Sequence, residues 1–257
     1  MAKISFVIPA YKESAFLIAC IESLLNQSLS SEVILATSTP NYLIDSLARK
    51  YNLPLLINPN GGSIAQDWNF AIKQGSGDLI VLAHQDDLYH SEFAKYFVNF
   101  YVKNPSAGII FSQINELTND RIISNGKREH VKNILRKFAF GNNFIISEKK
   151  QYRRVLGLGC SIPCPAVAFS EVIAKNLLFT SDFTLNLDWD TWSKLAEKRV
   201  PFGYIPKPLM THRIHEDAET QIGILDKRRE KEDYEIFSRY WPKPIAKALL
   251  TVYKFGY

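Results

Sequence analysis

Gly77-Asp78-Leu79-Ile80-Val81-Leu82-Ala83-His84-Gln85-Asp86-Asp87 decides the fold, because a continuous apolar run ends there in two carboxylates. Such a run, without polar alternation, predicts a central strand of a parallel sheet covered on both faces. Ligands in open α/β sheets bind just beyond the carboxyl ends of these strands. Asp86 and Asp87, with His84 and Gln85 alongside, offer ligands to Mg2+ or Mn2+, and an ion held this way is normally shared with substrate phosphates. The run therefore predicts a metal-diphosphate site. The alternative is a solvated turn capping a helix that starts near Ser91.

Working outward, further strand-like runs begin near Ile4, Glu32, Pro54 and Ala107, separated by segments with helical spacing. Leu17, Cys20, Ile21, Leu24 and Leu25 mark one helix face, and Ile64, Ala65, Trp68, Ala71 and Ile72 another. Connections of this length suit right-handed crossovers and a mostly parallel, Rossmann-like central sheet flanked by helices. Beyond residue 115 the alternation fades into a basic stretch, Arg121 to Arg154, with one amphipathic helix predicted over 128–140. Pattern returns with a strand over 166–169, helices near 171–178 and 188–198, and a short strand over 202–205.

The chain has 257 residues, 46% of them hydrophobic, enough for one large α/β domain and incompatible with disorder. No stretch approaches a membrane span, and the opening Met-Ala-Lys-Ile-Ser-Phe-Val-Ile-Pro is no signal peptide, so a cytoplasmic protein is expected. Cys20, Cys160 and Cys164 have neither zinc-ligand company nor redox spacing and are expected reduced, as small core residues. The net charge of +5 is unevenly spread: residues 120–154 carry ten Lys and Arg against three Asp and Glu, and residues 226–257 eight against five. No nucleic-acid-binding motif accompanies this charge, and no nucleic acid is expected as a partner.

Four motifs occur in order. They are Ile4 to Glu13 with Pro9-Ala10-Tyr11, Asn60-Gly61-Gly62-Ser63 with Trp68-Asn69 running to Asp86-Asp87, Asp188-Trp189-Asp190-Thr191-Trp192, and His212-Arg213-Ile214-His215 after Pro206-Lys207-Pro208-Leu209. Together they resemble the family 2 glycosyltransferases over about residues 3–216. The resemblance implies a GT-A fold and an inverting transfer of sugar from a UDP- or TDP-sugar, helped by Mn2+ or Mg2+, to a glycan or lipid-linked acceptor in surface polysaccharide synthesis. It implies a donor-binding half over 1–115 and an acceptor half with a basic insertion over 116–220.

Carried over position by position, Asp86 matches the metal-binding acid, with Asp87 as its support, and His84 stands where the family often has an earlier Asp. Pro9, Ala10, Tyr11 and Glu13 match the turn that packs on the nucleotide base, although Tyr11 read alone is an ordinary part-buried aromatic. Thr37, with Ser38, replaces an Asp-Asp pair that reads the base edge; a hydroxyl does so less strongly than a carboxylate. Asn69 is expected to hold the donor loop. Asp188 matches the catalytic base, its alternative role being the N-cap of the helix that follows. Asp190 is a candidate for an acceptor hydroxyl. His215 is either a metal or diphosphate ligand or solvated, and Arg213 pairs either a phosphate or the neighbouring acids Glu216 and Asp217.

The last segment, 221–257, places Ile245, Ala248, Leu249, Val252 and Tyr253 on one helical face, with Lys247, Thr251 and Lys254 opposite. That pattern fits either an interfacial helix or an ordinary helix packed on the domain. With the basic block it raises the expectation of peripheral contact with an anionic membrane. Two other functions fit less of the sequence. A sugar-1-phosphate nucleotidyltransferase needs a glycine-rich loop where Pro9 to Glu13 stands, and a non-catalytic nucleotide-sugar-binding protein would account for Thr37 and His84.

Overall fold

A computed structural model describes residues 2–124, 126–180, 182–215 and 227–254. In chain order the elements are β1 (Ile4–Ala10), α1 (Leu17–Leu25), β2 (Glu32–Thr37), α2 (Tyr42–Lys50), β3 (Leu55–Ile57), α3 (Ile64–Ile72), β4 (Leu79–Leu82), β5 (Leu88–Tyr89), α4 (Phe93–Lys103) and β6 (Ile109–Thr118). They continue with β7 (Arg121–Ser124), α5 (Lys127–Phe140), β8 (Ile145–Ile146), α6 (Lys149–Leu156), a 3-10 turn (Cys164–Ala166), β9 (Val167–Ser170), α7 (Glu171–Asn176), α8 (Leu187–Glu197), β10 (Phe202–Arg213), α9 (Arg228–Tyr240) and α10 (Lys243–Tyr253).

One sheet of ten strands runs in the order β3-β2-β1-β4-β9-β6-β10-β5, with β7 beside β6 and β8 beside β10. The ladders β3-β2, β2-β1, β1-β4 and β6-β10 are parallel, and β9 runs against both β4 and β6. Strands β1, β2, β3, β4, β6 and β10 therefore point one way, and their carboxyl ends share one edge. Period-two alternation distributes the strand residues to two cores. Leu79, Val81 and Ala83 pack with α1, α2 and α4 on one face, while Ile80 and Leu82 pack with α3, α5, α6, α8 and α9 on the other. All four residues of β4 are buried, as an apolar run between two helical layers requires.

The chain departs from expectation in four places. The stretch 121–154 is knitted into the sheet: Asn119 and Asp120, both with positive φ, turn β6 back as β7, and β8 pairs with the start of β10. A two-residue Asn-Asp loop tolerating positive φ was the overlooked hairpin signal. Strand β10 does not stop at Ile205. It continues to Arg213 through Pro206 and Pro208, with the register slipping around both prolines where their missing N–H groups would interrupt the ladder.

The carboxyl-terminal segment is packed on the domain. Ala246 and Phe237 are fully buried, and the Tyr253 ring lies 5.7 Å from Trp189. The boundary expected at 220/221 lies outside the described residues. Finally, Cys20 and Cys164 are buried free thiols, but Cys160 is only partly buried.

Candidate active site

Strand β4 delivers His84 to Asp87 to the sheet edge, and the two acids take different surroundings. Asp87 is 1% exposed, and its Oδ1 accepts from the Arg213 backbone N–H and contacts His212 Nδ1, both at 2.9 Å. Burial alone would raise this carboxyl, yet the charge and hydrogen bond of His212, with the Arg213 amide, hold it below the ordinary carboxylate range. The same pairing outweighs burial in raising His212. Asp87 therefore staples the end of β10 to the end of β4.

The Asp86 side chain stays 31% exposed. Its Oδ1 accepts from Ser14 Oγ at 3.1 Å, and Oδ2 lies 3.5 Å from His215 Nε2. His215 in turn packs on Phe16 with ring centroids 5.0 Å apart, and Arg213 sits 4.4 Å over the same ring while its Nε donates to the Asp86 carbonyl. Phe16 thus ties the turn after β1 to the end of β10. Arg213 uses these local partners; the acids Glu216 and Asp217 proposed for it lie outside the described residues.

The turn after β1 is fixed to the same edge. Gln85 pairs reciprocally with the main chain of Tyr11, accepting its N–H at 3.0 Å and donating to its carbonyl at 3.2 Å. Lys12, with φ of 53°, donates its N–H to Thr39 Oγ1. The Tyr11 ring remains 49% exposed, an open aromatic platform, and Glu13 is exposed on the same turn. Pro9 and Ala10 lie in β1 opposite Ala36 and Thr37, so what they present is the path of the backbone.

At the end of β2, Thr37 is 2% exposed and its Oγ1 accepts the Thr39 N–H. A carboxylate nevertheless reaches this place from α3. Asp67 accepts from Ser38 Oγ at 2.7 Å and from Asn58 Nδ2 at 2.9 Å. Gly61 permits that approach, since a Cβ there would fall 2.1 Å from the Ser38 Cβ. Sequence reasoning missed Asp67, as it did Ser14 and Phe16, and it placed Gln85 near the acids without its pairing to Tyr11; only the helical register of Asp67 beside Trp68 hinted at it.

Three expected site residues are committed elsewhere. Asn69 is a clamp: its amide donates to the Phe179 carbonyl and accepts the Phe179 N–H at 2.8 and 2.7 Å, leaving its side chain no free donor-acceptor pair for a ligand. Asp190 is fully buried, held by Lys194 at 2.7 Å, Arg239 at 2.6 Å and Thr180 at 3.1 Å, so an acceptor hydroxyl cannot reach it. His84 packs against Trp68 at 5.0 Å, and burial lowers its pKa, keeping it neutral.

Asp188 is the second residue of α8, not its N-cap, which is Asn186. Its Oδ1 accepts the Trp189 N–H at 2.7 Å. Burial raises its pKa, opposed by that hydrogen bond and by the nearby charges of Arg229 and Lys132. Glu232 on α9 sets this entry to α8, its carboxylate accepting the backbone N–H groups of Thr184, Leu185 and Asn186 at 2.8–3.0 Å.

For a divalent ion, the described residues contain no cluster of three or more His, Cys, Asp or Glu. They do bring together Asp86 Oδ2 and His215 Nε2, and the buried His215 Nδ1 has no hydrogen-bond partner. A carboxylate and an imidazole, with substrate phosphates completing the shell, suit Mn2+ or Mg2+.

Six co-directed strands with helices on both faces are the GT-A arrangement. The profile of the family described as Glycosyl transferase family 2 matches residues 5–173, and the chain belongs to that family. A poly(ribitol-phosphate) beta-glucosyltransferase of Bacillus spizizenii is 30% identical over 113 residues, covering 40% of this chain and only 18% of the relative. Among solved structures, S. aureus TarS 1-349 superposes with a TM-score of 0.65 at 13% identity, over 96% of this chain and 69% of that one. The mannosyltransferase PcManGT from Pyrobaculum calidifontis, in complex with GDP-Man and Mn2+, gives 0.67 at 15% identity, over 97% and 70%. At these identities the superpositions speak to the fold.

Proposed function

We propose that the chain moves a sugar from a nucleoside diphosphate donor to a hydroxyl of a glycan or lipid-linked acceptor, with inversion at the anomeric carbon. The observation that carries this is the convergence of Asp86 and His215 beside the Tyr11 platform at one sheet edge. The base stacks on Tyr11. Thr37 and the Ser38-Asp67-Asn58 group lie at its edge, with Asp67 supplying the carboxylate that β2 lacks. Residues 1–115 hold the donor in this reading, and 116–220 the acceptor.

Asp86 and His215 would hold the divalent ion, which when bound offsets the charge gathering on the leaving diphosphate. Solved relatives in this fold carry such donors: TarS with UDP and with UDP-GlcNAc, and glucosyl-3-phosphoglycerate synthase from Mycobacterium tuberculosis with Mn2+ and UDP-glucose. Arg213, over Phe16 beside Asp86, adds positive charge facing the phosphates. In the transfer, the acceptor oxygen forms the new bond to the anomeric carbon as the bond to the diphosphate oxygen breaks. The hydroxyl proton passes to Asp188, whose raised pKa suits a general base. In this reading the acceptor belongs to a surface polysaccharide and the reaction is cytoplasmic.

Thermal-shift measurements with UDP-, TDP- and GDP-sugars, with and without Mn2+, test the proposal. A rise in melting temperature that needs both donor and metal, and vanishes in Asp86→Ala, is expected. No shift with any donor would overturn it.

A further inference from the structure

Helix α5 buries Ala139 and Phe140 at its end, but along the rest of its length polar and apolar positions are exchanged. Its buried side carries an ion pair, Glu129 with Arg136, at 2% and 0% side-chain exposure, with Arg136 also donating to the Ser161 carbonyl at 2.7 Å. Its solvent side carries Val131, Ile134 and Phe138, at spacings of three and four residues and exposures of 57%, 54% and 54%. A surface helix of a globular domain normally shows the reverse pattern. Charges frame the apolar stripe: Lys127, Arg128 and Lys137 are exposed on α5 itself, and Arg154 of α6 lies 4.5 Å over the Phe138 ring. Beneath Phe138 opens a cavity of about 320 Å3 lined by Lys150, Arg153, Arg154, Leu158 and Trp241.

We infer that α5 and the cationic face of α6 dock the protein on an anionic phospholipid surface. Val131, Ile134 and Phe138 enter the boundary between headgroups and acyl chains, and the Lys and Arg residues meet lipid phosphates. Charge complementarity selects this occupant: with the buried Glu129–Arg136 pair set aside, nine Lys and Arg stand against two Asp and Glu over residues 120–154. The carboxyl-terminal helix α10 is not the anchor, because Ala246, Leu249, Leu250 and Tyr253 are consumed in packing on the core.

The test is co-sedimentation of the full chain, without donor, with phosphatidylcholine vesicles and with vesicles of mixed phosphatidylcholine and phosphatidylglycerol. Binding is expected to the mixed vesicles alone and to weaken in high salt. The double variant Val131→Ser/Ile134→Ser should lower the bound fraction about tenfold or more. Both side chains are more than half exposed, so its melting temperature and its donor shift should stay native. Val252→Ser on α10, 69% exposed, should bind as the native chain does. Native-level binding by the double variant, equal binding to neutral vesicles, or no binding at all overturns the inference. So does light scattering that shows a dimer dissociated by the same substitutions, which would make this face a contact between copies. Each of these outcomes leaves the donor shift, and hence the sugar-transfer proposal, separately measurable.

Discussion

Replacing Asp87 and Asp86 separately by alanine should produce opposite defects, because adjacent carboxylates do different work. Asp87→Ala leaves the part-buried Arg213 N–H without its acceptor, at a cost of about 1–3 kcal/mol. It also removes the contact to His212, whose side chain is 42% exposed, so solvent screening limits that loss to about 0.5–1 kcal/mol. The sum, about 1.5–4 kcal/mol, corresponds to a fall in melting temperature of about 3–16 °C for a domain of this size. Asp86→Ala removes a 31% exposed carboxylate from a 3.5 Å pairing with His215, worth no more than about 1 kcal/mol, or about 2–4 °C. Differential scanning fluorimetry with and without donor and Mn2+ reads both effects. The Asp86 variant keeps its baseline and loses the ligand shift, whereas the Asp87 variant loses its baseline and keeps a reduced shift. Acid pH supplies a second check. The folded-state pKa of Asp87 is depressed, so its contribution is present above the ordinary carboxylate pKa and disappears as pH falls through the folded value. The stability gap between native protein and Asp87→Ala should therefore close in acid. A baseline within 2 °C of native for Asp87→Ala, or an equal loss in both variants, would refute the division of labour; about 2 °C is the least that 1 kcal/mol produces.

Further outcomes follow from other parts of the molecule. Asp188→Asn should cut turnover about 10²–10⁴-fold while donor binding persists. With Asp188 in place, kcat/KM should decline on the acid side from a pH above the ordinary carboxylate range, because burial raises the pKa of a group that must be ionised to act; undiminished turnover in the variant removes Asp188 as the base. Glu129→Ala strands the fully buried Arg136 and should cost about 3–5 kcal/mol in urea unfolding, while Glu129→Met with Arg136→Met together should cost much less. Gly61→Ala drives a Cβ to 2.1 Å from Ser38, so the loop must retreat from the Ser38-Asp67 pair. The expected result is a weaker UDP-sugar shift on a near-native melting temperature.

The alternation of apolar runs and helical faces before residue 115 was legible because each element buries its own pattern, as the four buried residues of β4 illustrate. Asp86 and Asp87 were separable only in outline, since the partners that distinguish them, Ser14, His212 and His215, come from two other stretches of chain. Asn69 and Asp190 stood in the expected motifs, but their side chains are engaged by distant partners. Asn69 meets Phe179, 110 residues away, and Asp190 meets Arg239, 49 residues away. Local pattern holds no record of such partners. The Asn119-Asp120 turn was readable and was overlooked, whereas the passage of β10 through two prolines contradicts ordinary strand preference and depends on the bulges that absorb them.

Glu232 gathers three successive amides of residues 184–186, just ahead of Asp188, from a helix that follows it in sequence. A ribosome delivers that helix after everything else the site requires. Until α9 has emerged and folded back, the approach to Asp188 has no acceptor for those amides and no reason to hold its course. A chain cut short before residue 232 would contain each proposed chemical group yet lack the agent that aligns one of them. In the proposed reaction, the alignment of Asp188 thus depends on a carboxylate that follows it in the chain.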